Sequence, residues 1–137
     1  MLLEQEGALP LTSPGLTVRE YSDHTVVTLR GEFDAADVAR LTAGFTAAAA
    51  RSPQIIADLG ALEYIDCCAL GVLSQMRAQA RAAGGDLLLA APHGLVWRTL
   101  KLTSLSSVFS VHTSAEEAAL TAGYSSPQPA TGSTLKP

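Results

Sequence analysis

The segment Ile55–Leu73 constrains the fold more than any other part of the chain, because it reads as a buried strand, a turn and a helix. Gln54–Leu59 is apolar with little alternation, which is typical of a strand inside a parallel sheet. A helix is predicted from Cys67 to about Ala83, after the turn. Its apolar side chains recur at helical spacing and form an inward stripe of Ala69, Val72, Leu73, Met76 and Ala80.

The start of this helix also carries the most distinctive side chains of the sequence. Asp66 is predicted to cap the helix, and Cys67 and Cys68 occupy its first two positions. Backbone N–H groups are unpaired at such a place, and the helix dipole favours a negative group there. A protein can use it to hold a phosphate, to activate a thiol or to dock a partner, and these residues alone leave all three open.

The rest of the chain continues the alternation of strands and helices. The other predicted elements are hairpin strands Leu16–Glu20 and Thr25–Arg30, a helix from Ala35 to about Ala50 capped by Asp34, strand Asp86–Ala91, helix His93–Leu102, strand Val108–Val111, and a closing helix after Ser114 with Glu117 in a capping box. This order predicts an α/β fold: a mixed sheet with a parallel core, an N-terminal hairpin and about four helices. Asp34 and Asp66 should then meet at one end of the sheet.

Composition sets the domain organisation. Hydrophobic residues make up 47% of the 137 residues, which is enough for a globular core. Residues 1–15 contain two prolines and two glycines and are predicted to be a flexible arm, and residues 125–137 form a polar, proline-rich segment that is predicted to be a disordered tail. The expected domain therefore spans residues 16–124.

Charge and hydropathy exclude several classes of function. The net charge is −4 and the nine basic residues do not cluster, which argues against a nucleic-acid partner. No apolar run approaches the roughly 20 residues that span a membrane, and the acidic start does not resemble a signal peptide, so a cytoplasmic location is expected. The histidines and cysteines lack metal-ligand spacing, and no phosphate-binding glycine loop is present, so neither a metal nor a cofactor is expected.

Four stretches, in order, resemble the STAS domain of bacterial anti-sigma-factor antagonists: Leu29–Asp34, Ile56–Leu73, Gly84–Leu87 and Leu100–Phe109. The resemblance implies a STAS-like fold and a non-enzymatic module that binds an anti-sigma factor, usually a serine-kinase-like ATPase, and so frees a sigma factor. In the family this kinase phosphorylates the second serine of the signature motif, and the added charge abolishes binding.

This sequence departs from the family pattern at that position. The phosphoacceptor falls on Cys68, the preceding serine on Cys67 and the following glycine on Ala69. Because a thiol is not the normal acceptor of a serine kinase, the sequence predicts an antagonist without the usual serine phosphoswitch. Leu70, Ser74 and Arg77 are expected on the exposed side of the helix. The partner-binding residues that the resemblance implies are Asp34, Asp66, Cys67, Cys68, Ala69, Leu70, Ser74 and Arg77.

Other interpretations stay open at this point. Asp34 and Asp66 need be no more than helix caps, and Cys67 can be a small packing residue. A STAS module can be a structural subunit of a lipid-transport or stress-sensing complex, or Cys68 can be a thiol redox sensor, although the Asp66 carboxylate opposes formation of a thiolate beside it. Whether the chain forms a weak homodimer is likewise open.

Overall fold

The computed structural model describes residues 12–124, so residues 1–11 and 125–137, which belong to the predicted arm and tail, lie outside the described residues. Within the described part, six strands form one sheet: β1 Thr12–Ser13, β2 Leu16–Glu20, β3 Thr25–Phe33, β4 Gln54–Ile65, β5 Asp86–Ala90 and β6 Val111–His112. Four α-helices accompany it: α1 Val38–Arg51, α2 Cys67–Ala82, α3 Gly94–Leu102 and α4 Ala115–Ala122.

The order of the strands across the sheet is the same as their order along the chain. β1, β2 and β3 are antiparallel neighbours, whereas β3, β4, β5 and β6 run parallel. This confirms the predicted mixed sheet with a parallel core, an N-terminal hairpin and four helices. Helices connect the parallel strands because parallel neighbours need a crossover that returns the chain to the same end of the sheet.

The sheet begins earlier than predicted, since Thr12–Ser13 pairs with β2 through the Ser13–Leu16 register. Thr12 and Ser13 therefore pair in the sheet, and residues 14–15 form the turn that joins them to β2. Gly15 makes the turn possible with a positive φ of 75°, and its carbonyl accepts the Arg30 N–H at 2.8 Å. A Cβ at this position would lie 2.7 Å from the Arg30 carbonyl oxygen, closer than a side chain allows.

β4 is twelve residues long, twice the predicted Gln54–Leu59. Its second half pairs with the end of β3, from Arg30 to Phe33, across two register shifts, whereas β5 pairs with β4 only as far as Asp58. The register shifts interrupt the regular side-chain alternation, which is why the sequence pattern breaks before the strand ends.

The predicted strand Val108–Val111 is wrong. A 3-10 turn occupies Leu105–Ser107, and the strand is Val111–His112. Ser104 turns the chain with a positive φ of 63°, and the N–H groups of Val108 and Phe109 bond back to the Leu105 carbonyl. Phe109 is buried, so the apolar run reflects a loop that anchors in the core.

Helices cover the sheet unequally. The larger core contains the inward side chains of α1, α2 and α3, including Phe45, Leu73 and Leu100. A smaller cluster on the opposite face is covered by α4 and comprises Val26, Ile56, Leu88, Ala90, Ala118 and Ala119. None of the helices in residues 12–124 has the length and apolar character that a membrane span requires.

The buried His24 borders this smaller cluster. Its ring is stacked between Tyr21 and Tyr124, with centroid distances of 4.8 and 5.1 Å. Its Nδ1 lies 2.8 Å from Asp23, and the Tyr124 hydroxyl donates to Gln54 at 2.6 Å. Burial is the main reason that the pKa of Tyr124 is raised. These contacts fasten the end of the described chain to the sheet.

Candidate functional site

Asp34 directly follows β3 and caps the next helical turn, as the sequence predicts. Its Oδ1 accepts the Ala36 N–H at 2.9 Å, and its own N–H donates to Asp37 Oδ2 at 2.9 Å, which completes a capping box. The turn it caps is a 3-10 helix, Ala35–Asp37, which leads into α1. The Asp34 side chain is exposed, so it can meet a partner while it caps the turn.

Asp66 joins two separate segments of the chain. Its Oδ1 accepts the Ala69 N–H at 2.9 Å and so caps α2, and its Oδ2 accepts the Ala35 N–H at 3.1 Å. The Asp66 N–H in turn donates to the Phe33 carbonyl at 3.1 Å. This confirms the expectation that the turns after β3 and β4 meet at one end of the sheet, and it fixes the Asp34 turn against the start of α2.

Cys67 and Cys68 are exposed and form no disulfide. They occupy the first two positions of α2, directly after the Asp66 cap. We call the surface formed by Asp34, Asp66, Cys67 and Cys68 the strand-end surface. It presents two small thiol side chains beside two carboxylates, on a backbone that hydrogen bonds hold in place.

Ala69 and Leu70 do not belong to this surface. Their exposed fractions are 0% and 1%, so the predicted exposure of Leu70 is wrong and the predicted inward position of Ala69 is correct. The reason is that α2 packs against α1 as well as against the sheet, which makes its buried arc wider than one stripe. Ser74 is half-buried and lies at the margin of the exposed face.

Arg77 is also turned away from the strand-end surface. Its Nε forms an ion pair with Asp86 Oδ1 at 3.4 Å, and its guanidinium lies 6.0 Å from the centre of the Phe109 ring. Only 23% of its side chain is exposed, so the expectation that it contacts a partner is not supported by its position. Its role here is to bind the start of β5 to α2.

Other exposed residues on the same helix and strands were not among the predicted site residues. Gly71 and Gln75 are exposed on the outward side of α2, and Glu32 and Glu63 are exposed on the strands that end there. The signal for the first pair was available, because both fall opposite the inward stripe at helical spacing. The glutamates lie in the irregular part of the β3–β4 pairing, where strand alternation gives no reliable signal.

The carboxylates give this end of the molecule a negative character. Asp37 is an exception in that it is paired: Arg40 donates to its Oδ1 at 2.8 Å. This hydrogen bond is the main reason that the pKa of Asp37 lies below its ordinary value of 3.8, and the Asp34 N–H contributes as well. Arg40 also lies over the Phe33 ring at 4.7 Å and bonds to the Pro14 carbonyl, so it holds the hairpin turn against α1.

No set of three His, Cys, Asp or Glu side chains within residues 12–124 is arranged to hold a metal ion. A cavity of about 470 Å³ lies near the carboxyl ends of β5 and β6 and shares no residue with the strand-end surface. Its wall is mostly apolar and consists of Gly60, Ala91, Pro92, His93, Trp97, Val111, His112 and Thr113.

Known proteins similar to this chain share this architecture. The sequence model of the family described as STAS domain matches residues 16–118. The anti-sigma-F factor antagonist RsfA of Mycobacterium tuberculosis is 29% identical over 105 residues, which cover 74% of this chain and 82% of that protein. An anti-sigma factor antagonist from Mycobacterium paratuberculosis has a similar fold, with a TM-score of 0.69, 24% identity, and coverage of 81% of this chain and 97% of that chain.

A second solved structure also shares the fold. The Bacillus cell fate determinant SpoIIAA, solved in its phosphorylated form, has a TM-score of 0.62 and 19% identity, with coverage of 78% of this chain and 98% of that chain. At such identities the likeness of the solved structures concerns the fold alone.

Proposed function

This chain belongs to the STAS domain family, and on that premise we propose that it is an anti-sigma-factor antagonist. The observation that carries the proposal is the strand-end surface, where the Asp66 carboxylate holds the Asp34 turn and the start of α2 in one exposed unit. The relative from Mycobacterium tuberculosis bears that function in its name. In this proposal the chain binds an anti-sigma factor and catalyses no reaction itself, and it acts in the cytoplasm, where sigma factors meet RNA polymerase.

The surface has properties that suit reversible docking. Its backbone is fixed in advance, so binding costs little ordering entropy. Cys67 and Cys68 are exposed and short, so a partner can approach the backbone of α2 closely. The exposed carboxylates Asp34 and Glu63 favour a partner with basic side chains at the matching positions. We propose an anti-sigma factor of the serine-kinase-like class as that partner.

Regulation should differ from that of family members with a serine at the acceptor position. Cys68 offers a thiol where a serine kinase needs a hydroxyl, so we propose that this antagonist is not switched off by phosphorylation at that position. A phosphate would add roughly −1.5 to −2 charges to a surface that already carries carboxylates, which is how it would abolish docking.

The experiment uses the full chain, an anti-sigma kinase from the same genome and ATP. We expect the wild-type chain to bind the kinase and to keep its mass, whereas Cys68→Ser should gain one phosphate. Cys68→Asp should weaken binding by about tenfold or more, because it places a fixed charge in the contact. Thr121→Asp, on the exposed side of α4, is the matched control and should bind normally. A phosphate on wild-type Cys68 would contradict the absence of a phosphoswitch, and failure to bind such kinases would contradict the antagonist function.

A thiol switch on the same surface is the second candidate, favoured by the exposure of both thiols. A peroxide would oxidise the Cys68 thiol to a sulfenic acid and be reduced to water or an alcohol, which places a polar group at the docking position. Treatment with hydrogen peroxide, followed by intact mass and kinase binding, tests this. Loss of binding in the wild type but not in Cys68→Ser would support it, and unchanged binding by the oxidised wild type would exclude it.

A further inference from the structure

We propose that the outer face of α3 is a second docking surface and that it binds an acidic amphipathic helix of a partner protein. We call the surface formed by Leu95, Arg98, Lys101 and Leu102 the α3 face. It shares no residue with the strand-end surface, so the proposal stands independently of the antagonist function.

The α3 face carries two large apolar side chains that are exposed. Leu95 is 55% exposed and Leu102 is 76% exposed, whereas Val96 and Leu100 on the same helix are fully buried. Leu95, Arg98 and Leu102 are three and four residues apart and therefore form one row along the helix, about 10 Å long. Val108, which is 41% exposed, follows the turn after α3. Exposed leucines at this spacing are the pattern by which helices recognise helices.

Charge decides which partner fits. The chain carries −4 overall, yet no Asp or Glu occurs between Asp86 and Glu116. Arg98 and Lys101 are exposed within that interval, and Lys101 Nζ lies 5.8 Å from the centre of the Trp97 ring. The α3 face is therefore a basic and apolar patch on an acidic protein. A helix that carries leucines on one face with glutamates beside them complements both properties.

A second copy of this chain fits less well. A symmetric contact of one α3 face with another would place Arg98 and Lys101 opposite the same cations of the other copy. Like charges across an interface are unfavourable, so self-association would lose the charge complementarity that an acidic helix gains. The small apolar area implies a weak, transient contact.

The test uses a fluorescent probe peptide of about 18 residues, five helical turns, with leucines on one face and glutamates flanking them. A matched peptide carries lysine in place of every glutamate. We expect the wild-type full-length chain to bind the glutamate peptide about tenfold more tightly than the lysine peptide, by fluorescence anisotropy. The double variant Arg98→Glu and Lys101→Glu should reverse that preference. Leu102→Ser should weaken binding of the glutamate peptide by about fivefold.

Two control variants share the chemistry of the changes but lie elsewhere. Leu120→Ser removes another exposed leucine, on α4, and Arg19→Glu reverses another exposed cation, on β2. Both should bind the glutamate peptide like the wild type. Equal binding of the two peptides, or equal losses in the controls, would overturn the proposal.

Two further outcomes would assign the face to a different occupant and so overturn the acidic helix. One is self-association, measured by analytical ultracentrifugation, that is lost in Leu102→Ser. This result would identify a second copy of the chain as the occupant. The other is binding to phosphatidylglycerol vesicles that is lost in Leu102→Ser and stronger than binding to the peptide, which would identify a lipid surface.

Discussion

At the scale of single residues, Asp66 does more than end a strand and begin a helix. Each of its carboxylate oxygens accepts a backbone N–H from a different segment, Ala69 in α2 and Ala35 in the turn before α1. The helix cap was evident from the sequence, because an acid before a helical pattern is a local signal. The bond to Ala35 spans 31 positions and depends on the fold, so no local pattern could reveal it.

We expect Asp66→Ala to lower the free energy of unfolding by about 2 kcal/mol, because it removes a helix cap and a second hydrogen bond together. Urea denaturation followed by circular dichroism measures the loss. Glu63→Ala, an exposed carboxylate nearby, should change stability by less than about 0.5 kcal/mol. Equal effects of the two variants would show that the Asp66 contacts contribute no specific stability.

The Asp37–Arg40 pair predicts a dependence of stability on pH. Because the pKa of Asp37 is lowered in the folded protein, its contribution is fully present above the ordinary value of 3.8 and is lost as the pH falls through the lowered pKa. Glu117 acts in the same direction, since the Thr113 N–H and hydroxyl lower its pKa. We expect the urea midpoints of the wild type and of Asp37→Asn to differ at about pH 7 and to converge at about pH 3. A gap that widens with acid would contradict the assignment.

At the scale of secondary-structure elements, local patterns gave the positions of helices more reliably than the width of their buried faces. α2 was predicted within one residue at its end, and its cap was correct. Helical periodicity predicts an exposed Leu70 because it identifies one buried stripe, whereas α2 contacts both α1 and the sheet. α4 shows a similar limit: Ser114 caps it as predicted, but Glu117 accepts from Thr113 and not from the cap residue, so the capping box is incomplete.

The burial of Leu70 makes a direct prediction. Leu70→Ala should cost about 3 kcal/mol of unfolding free energy, because it leaves a cavity in a packed core. Gln75→Ala, on the exposed side of the same helix, should cost less than about 0.5 kcal/mol. Chemical denaturation of both variants measures the difference, and a small loss of unfolding free energy for Leu70→Ala would contradict the burial of this residue.

At the scale of the whole molecule, the alternation of strand and helix made the α/β class, the parallel core and the hairpin predictable from the sequence. The length of β4 and the place of β6 were not, because both depend on pairing between distant segments and on Phe109 packing as a loop residue. For the candidate site, the sequence pattern predicted the acids and thiols at the starts of two helices, whereas the burial of Leu70 and the ion pair of Arg77 required the packed structure.

Within residues 12–124, one short helix covers the smaller face of the sheet, and this predicts a vulnerable point. Ala119 of α4 is fully buried against the sheet, whereas the adjacent Leu120 is 68% exposed. Ala119→Glu should lower the unfolding free energy by about 3 kcal/mol and expose apolar surface that binds a hydrophobic dye, because it forces a charge into an apolar contact. Leu120→Glu should leave both measurements near the wild-type values. A stable Ala119→Glu variant without dye binding would show that α4 is not needed to cover this face.

The identity between strand order in space and strand order along the chain has a consequence for synthesis. As the nascent chain leaves the ribosome, each new strand can add beside the one made just before it, without waiting for a later segment to be inserted between them. The smaller face, which α4 closes, must wait until almost the whole domain has emerged. We therefore expect a chaperone that binds nascent chains to bind that face.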